Sequence, residues 1–176
     1  MTTTRTLLRY AALTLAVVAT TFSAHAGIKS PRLLAKIAQN TPAPVIVAKG
    51  NEMKLAEEAA KTNGGTALWG IGHSMEPLYA PGTAVVVKEI AYDDIKKGMT
   101  LVYRKANGGL VAHSVIDEDR RGYVVQGVNN DEADAVSVNE KNIVGVIVAA
   151  YSTQAGGFHQ MMAMSGNTNA KTVAMR

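Results

Sequence analysis

The chain of 176 residues has no cysteine, which excludes disulfides, thiolate metal sites and a thiol nucleophile. Its stability has to come from an ordinary hydrophobic core. It also lacks a strong charge of either sign. Setting aside Arg5 and Arg9, which precede an apolar stretch, leaves 16 of the 18 basic residues against 14 acidic ones, so the formal net charge falls from +4 to +2. That is too weak to argue for nucleic acid as a partner. No apolar run reaches the roughly 20 residues that span a bilayer comfortably, and no internal repeat is visible.

What is present begins with a leader pattern. Arg5 and Arg9 are followed by an apolar run from Tyr10 to Phe22 and then by Ala24-His25-Ala26, the layout of a secretory signal with a small-x-small cleavage site. Residues 1–26 are expected to be removed, leaving an exported, periplasmic or secreted domain from Gly27. Were the segment retained, the basic residues before it would stay cytoplasmic and the domain would still face outward, close to the membrane.

The length suits one domain. Pro31, Pro42 and Pro44 among short apolar pieces predict a loosely packed arm, with one helical turn at 33–37. From Asn51 an N-cap, early acids and strong helix formers predict a short helix, stopped by Asn63-Gly64-Gly65. Arm and helix together account for 27–65. Beyond Thr66 the texture changes to short β-branched runs between glycine, asparagine and acidic clusters, which predicts strands near 67–71, 83–90, 100–104, 110–116, 123–126 and 142–151. Asn107-Gly108-Gly109 and 118–122 suit hairpin turns. A mainly β domain is therefore expected over 66–151. Residues 152–176, rich in small and polar residues and carrying Met161, Met162, Met164 and Met175, are expected to form a flexible tail. Such thioethers suit a soft apolar surface.

The segment Gly72-His73-Ser74-Met75-Glu76-Pro77 puts a serine in a glycine-to-proline turn, where a nucleophile is exposed. A serine hydroxyl attacks well only with an adjacent base and with donors for the oxyanion. Histidine suits the first task, since its ordinary pKa of about 6.5 leaves it mostly neutral at pH 7. Of the four histidines, His73, His113 and His159 follow Ala26. His73 adjoins the serine, and neighbouring side chains in an extended or turn segment point apart. His159 falls in the expected tail. His113, between Val111 and Val115 on an expected strand, is the best base by elimination. On spacing alone, His113 reads first as a strand histidine bonded to a carbonyl, and Ser74 as a turn residue. The acidic loop at 127–134 offers an Asp that can orient the histidine. Read plainly, it is an Asx-rich turn, and its spacing does not match an EF-hand calcium site. No cofactor or metal is expected.

In order and spacing, Gly72-His73-Ser74-Met75-Glu76-Pro77, Gly82-Thr83-Ala84-Val85-Val86-Val87 and Ile95-Lys96-Lys97-Gly98-Met99-Thr100-Leu101-Val102-Tyr103 resemble the Ser-Met-x-Pro box and following strands of type I signal peptidases and LexA-like peptidases. The segment Val111-Ala112-His113-Ser114-Val115, then Gly127-Val128-Asn129-Asn130, Asp134 and Ile143-Val144-Gly145-Val146, resembles the Ser-His branch of archaea and the endoplasmic reticulum. The resemblance covers roughly 66–150. It implies a mainly β, LexA/signal-peptidase-like β-ribbon catalytic domain preceded by a short helix. Ser74 would be the nucleophile, His113 the general base and Asp134 the triad acid. Val128, Thr83 and Gly72 depart from the family pattern, standing where an aspartate, an aspartate and a serine are usual.

The expected function is that of an exported serine endopeptidase binding a polypeptide substrate in extended form, as an added strand. Topology points to a dedicated substrate rather than to bulk secreted proteins. The alternative is a non-catalytic peptide-binding module that keeps the groove. A self-cleaving repressor fits poorly, because the chain has no DNA-binding helical module.

Overall fold

The computed structural model describes residues 28, 30–154, 157–159 and 162. The leader expected at 1–26 lies outside them. The described chain is mainly β, a seven-stranded sheet with two α-helices and one 3-10 turn. Its strands are β1 (Val45–Ile46), β2 (Thr66–Gly70), β3 (Thr83–Lys88), β4 (Thr100–Arg104), β5 (Leu110–Asp119), β6 (Gly122–Gln126) and β7 (Ile143–Ser152). They run in the order β2-β3-β7-β4-β5-β6, and every pairing along that path is antiparallel. Short β1 adds in parallel at the far end of β7, with Val45 opposite Tyr151. Both expected hairpins are present, Arg104 facing Leu110 across one and Asp119 facing Gly122 across the other.

The arm before Asn51 is better ordered than its prolines suggested. Residues Pro31–Asn40 form the ten-residue helix α1, and its Ile37 is completely buried. Pro31 stands in the first turn, where its fixed φ and missing N–H cost nothing. Leu33, Leu34, Ile37 and Ala38 recur at helical spacing and pack on the sheet. The expectation of a loose arm with a single turn is thereby corrected. The second helix, α2 (Glu52–Asn63), lies where expected and packs Ala56 and Ala60 against Ala84 and Val86. Asn51 occupies its N-cap position without a side-chain capping bond, and the Glu52 carboxylate instead accepts the Gly50 N–H at 2.7 Å.

The expected tail is also partly bound to the body. Ser152 belongs to β7, and Phe158, one of only two phenylalanines, is completely buried. Burying so large a side chain is worth about 1.5–3 kcal/mol, which accounts for its docking from an otherwise polar segment. Among the described residues no helix is long and apolar enough to cross a membrane.

Besides the cluster under α2, two larger hydrophobic clusters bear on the candidate site. The first contains Ile37, Met75, Leu78, Tyr79, Val128 and Phe158. The second contains Leu101, Tyr103, Val115, Tyr123, Val125 and Val138. The candidate site lies where they meet.

Candidate functional site

Ser74 stands in the turn between β2 and β3. The turn is fixed from below by Met75, Leu78 and Tyr79, each at most 5% exposed. Glu76 N–H donates to His73 O at 3.1 Å, and Leu78 N–H and Tyr79 N–H both donate to Met75 O at 2.8 and 2.9 Å. Tyr79 OH ties the turn to Pro42 O at 2.8 Å. Thr83, fully buried at the head of β3, donates from Oγ1 to Ala80 O at 2.7 Å and closes the turn. The Thr83 hydroxyl therefore has a structural task at the end of the serine turn.

His113 comes from β5, opposite Leu101 of β4, and is 5% exposed. Its Nε2 accepts the Ser74 hydroxyl at 3.0 Å, and its Nδ1–H donates to Asp134 Oδ2 at 2.6 Å. The three residues singled out in the sequence thus form one continuous chain of hydrogen bonds. This tautomer follows from the partners, because an ionised carboxylate only accepts. His73 instead pairs with Glu76 at 3.2 Å on the surface, and His159 meets Thr41 O through Nε2 at 3.2 Å. Neither is bonded to the serine.

Asp134 lies in the loop after β6, where its N–H donates to Val125 O at 2.8 Å. Burial pushes its carboxyl up, but the hydrogen bonds from His113 and Tyr103, aided by the positive charge of Lys105, outweigh this and hold it below the ordinary carboxylate value. Tyr103 OH donates to the same Oδ2 that receives His113. Burial, then Asp134, push the Tyr103 phenol far up, so it stays protonated and serves as a donor.

The same loop reaches the serine turn. Asn129 N–H donates to Ser74 O at 2.8 Å and Asn129 Nδ2–H to His73 O at 3.2 Å. Gly127 permits this approach, since a Cβ there would stand 2.7 Å from Ser74 O. Val128 points into the first cluster at 5% exposure and serves packing. A Cβ on Gly72 would meet open space.

Beside Ser74 a groove of about 260 Å³ runs between the end of β2 and the start of β5, bordered by Trp69, Ile71, Met75, Leu110 and Ala112. Trp69, Ile71 and Leu110 form an exposed apolar rim. Two backbone edges face solvent here. β2 ends the sheet, and Leu110–His113 pair with β4 alone because β6 joins β5 only from Ser114. Among the described residues no group of three His, Cys, Asp or Glu gathers to hold a metal ion.

Tyr103, Asn129 and Gly127 were not singled out from the sequence. What marks Tyr103 is the register of β4 on β5. In the β4–β5 hairpin it lies two residues from Leu101, the partner of His113, and so shares a sheet face with that histidine. Nothing beyond its amide-rich surroundings marks Asn129. No known family model matches the chain, and no curated protein matches it either.

Proposed function

We propose that the protein is an exported serine endopeptidase of signal-peptidase type, cleaving polypeptides bound in extended form. The observation that carries this reading is the unbroken Ser74–His113–Asp134 chain of hydrogen bonds beside an open apolar groove. Such a chain is recognised by geometry and roles rather than by sequence order.

An extended peptide entering the groove finds unpaired backbone at β2 and at Leu110–His113, so main-chain bonds hold it while the apolar walls select its side chains. His113 Nε2 takes the Ser74 proton as Oγ attacks the scissile carbonyl carbon. Asp134 Oδ2 keeps the imidazole in its productive tautomer and stabilises the cation that forms. The oxyanion faces the Ser74 N–H, which no described residue engages. Nε2–H then protonates the departing amine, leaving an acyl group on Oγ. Water, deprotonated by His113, releases that acyl group and restores the serine.

The test is cleavage profiling of a peptide library by mass spectrometry with the full chain, its Ser74→Ala variant and its His113→Ala variant. Cuts made by the wild type and lost in both variants support the reading. Peptides bound but uncut by the wild type would replace it with a peptide-binding module.

A further inference from the structure

We infer that Tyr103 is a positioning residue of this site, holding the Asp134 carboxylate in line with the imidazole before charge develops there. The inference rests on the serine-peptidase reading. Tyr103 has 1% of its surface exposed and lies in the second cluster with Leu101, Val115, Tyr123 and Val125. A phenylalanine would fill that space equally well. The hydroxyl is therefore the informative part of the residue, since a buried phenol needs a partner. The partner it finds is Asp134 Oδ2, the oxygen that also receives His113 Nδ1–H.

Asp134 needs such help because it stands on a loop. Its backbone tie is the single bond to Val125 O, which leaves the carboxylate free to rotate about its own side-chain bonds. An imidazole alone is a weak guide, since its charge changes as it takes up and returns the serine proton. The Tyr103 side chain is buried in the second cluster, so its O–H provides a fixed reference. Two donors converging on one oxygen keep the negative charge against Nδ1 rather than turned to water. The titratable and charged groups facing Asp134 are His113 on β5, Tyr103 on β4 and Lys105 just beyond β4. Of these, only Tyr103 is a neutral donor throughout the catalytic cycle.

The test compares the wild-type full chain with Tyr103→Phe, both alone and combined with Asp134→Asn. Steady-state cleavage is read on a peptide that the wild type cuts, and the Asp134 carboxyl is titrated by ¹³C NMR in the resting protein. The expected result is a roughly tenfold fall in kcat with KM within about twofold, the loss of one hydrogen bond to a charged group. Asp134 titration moves up toward the ordinary carboxylate range, and Tyr103→Phe has no further effect on kcat once Asp134 is Asn. An unmoved Asp134 titration, or an equal kcat loss in the Asp134→Asn background, overturns the inference. If Tyr103→Phe does not fold, Tyr103→3-fluorotyrosine keeps ring and hydroxyl while strengthening the donor; Asp134 titration must then move down, and no movement overturns the inference. The NMR result does not depend on turnover. A wild type that cuts nothing defeats the peptidase reading, while the titration still decides whether Tyr103 holds Asp134.

Discussion

The proposed nucleophile, Ser74, and its proposed base, His113, stand on different cores. Ser74 rests on the first cluster through Met75, Leu78 and Tyr79, whereas His113 and Asp134 are held from the second through Leu101, Tyr103 and Val125. The first cluster joins strand residues Val85, Val87, Val102, Ile147 and Ala150 to distant parts of the chain, α1, the serine turn, the Val128 loop and Phe158. The second is a compact β core of neighbouring strands. The difference teaches that the 3.0 Å contact between Ser74 and His113 is an inter-cluster property. The 127–134 loop is the device that registers the two. It buries Val128 in the first cluster, ties Asn129 to Ser74, and bonds Asp134 to β6.

Breaking the contact itself should have the largest effect. Ser74→Ala and His113→Ala are each expected to lower kcat by about 10⁴-fold or more with the fold intact, read as cleavage rate alongside circular dichroism. Next comes the orienting acid on the second core. Asp134→Asn keeps the shape but favours the wrong imidazole tautomer, with an expected loss of about 10²- to 10⁴-fold in kcat.

The same substitution sharpens the comparison through pH. Because the folded Asp134 carboxyl lies below its ordinary value, the unfolded chain binds the proton more readily, and stability rises with pH in that window. The contribution is fully present above the ordinary unfolded value of about 3.9 and is lost as pH falls through the folded one. Thermal melts taken downward from pH 6 should therefore show the wild type losing a stability advantage over Asp134→Asn. Parallel curves would remove Asp134 from the acid limb.

Leu78→Ala opens a cavity beneath the nucleophile turn, at a completely buried position. Its expected cost is about 2–5 kcal/mol in denaturant unfolding, together with a kcat loss at temperatures where the variant is still folded. A cavity in the second cluster of equal thermodynamic cost should leave the serine turn in place. The smallest effect belongs to Asn129→Ala. It removes the exposed side-chain bond to His73 O but keeps the backbone bond to Ser74 O, so kcat should fall only about threefold.

The β core was legible because its strands are short β-branched runs punctuated by glycine and asparagine, and β3 and β4 lie where 83–90 and 100–104 were expected. The arm was not, because Pro31 reads as a breaker until it is seen in the first turn of a helix, and because the apolar face of α1 has meaning only with a sheet to cover. Phe158 escaped for the same reason. A lone aromatic in a polar segment shows no period, and only the cavity that it fills reveals its role. At the site, turn chemistry and elimination among the histidines made Ser74 and His113 candidates that family resemblance then singled out, and Asp134 came from that resemblance alone. Tyr103 required the register of β4 on β5, and Asn129 the three-dimensional approach of one loop to another.

The central claim is that Ser74 and His113, standing on separate cores, act as one unit. Cleavage rates of Ser74→Ala, His113→Ala and the double variant, measured on one peptide, test it most directly. The expected result is that the double variant is no slower than either single one, since removal of either partner already disables the pair. Losses that multiply in the double variant would contradict the account, because they would mean that the two residues contribute independently.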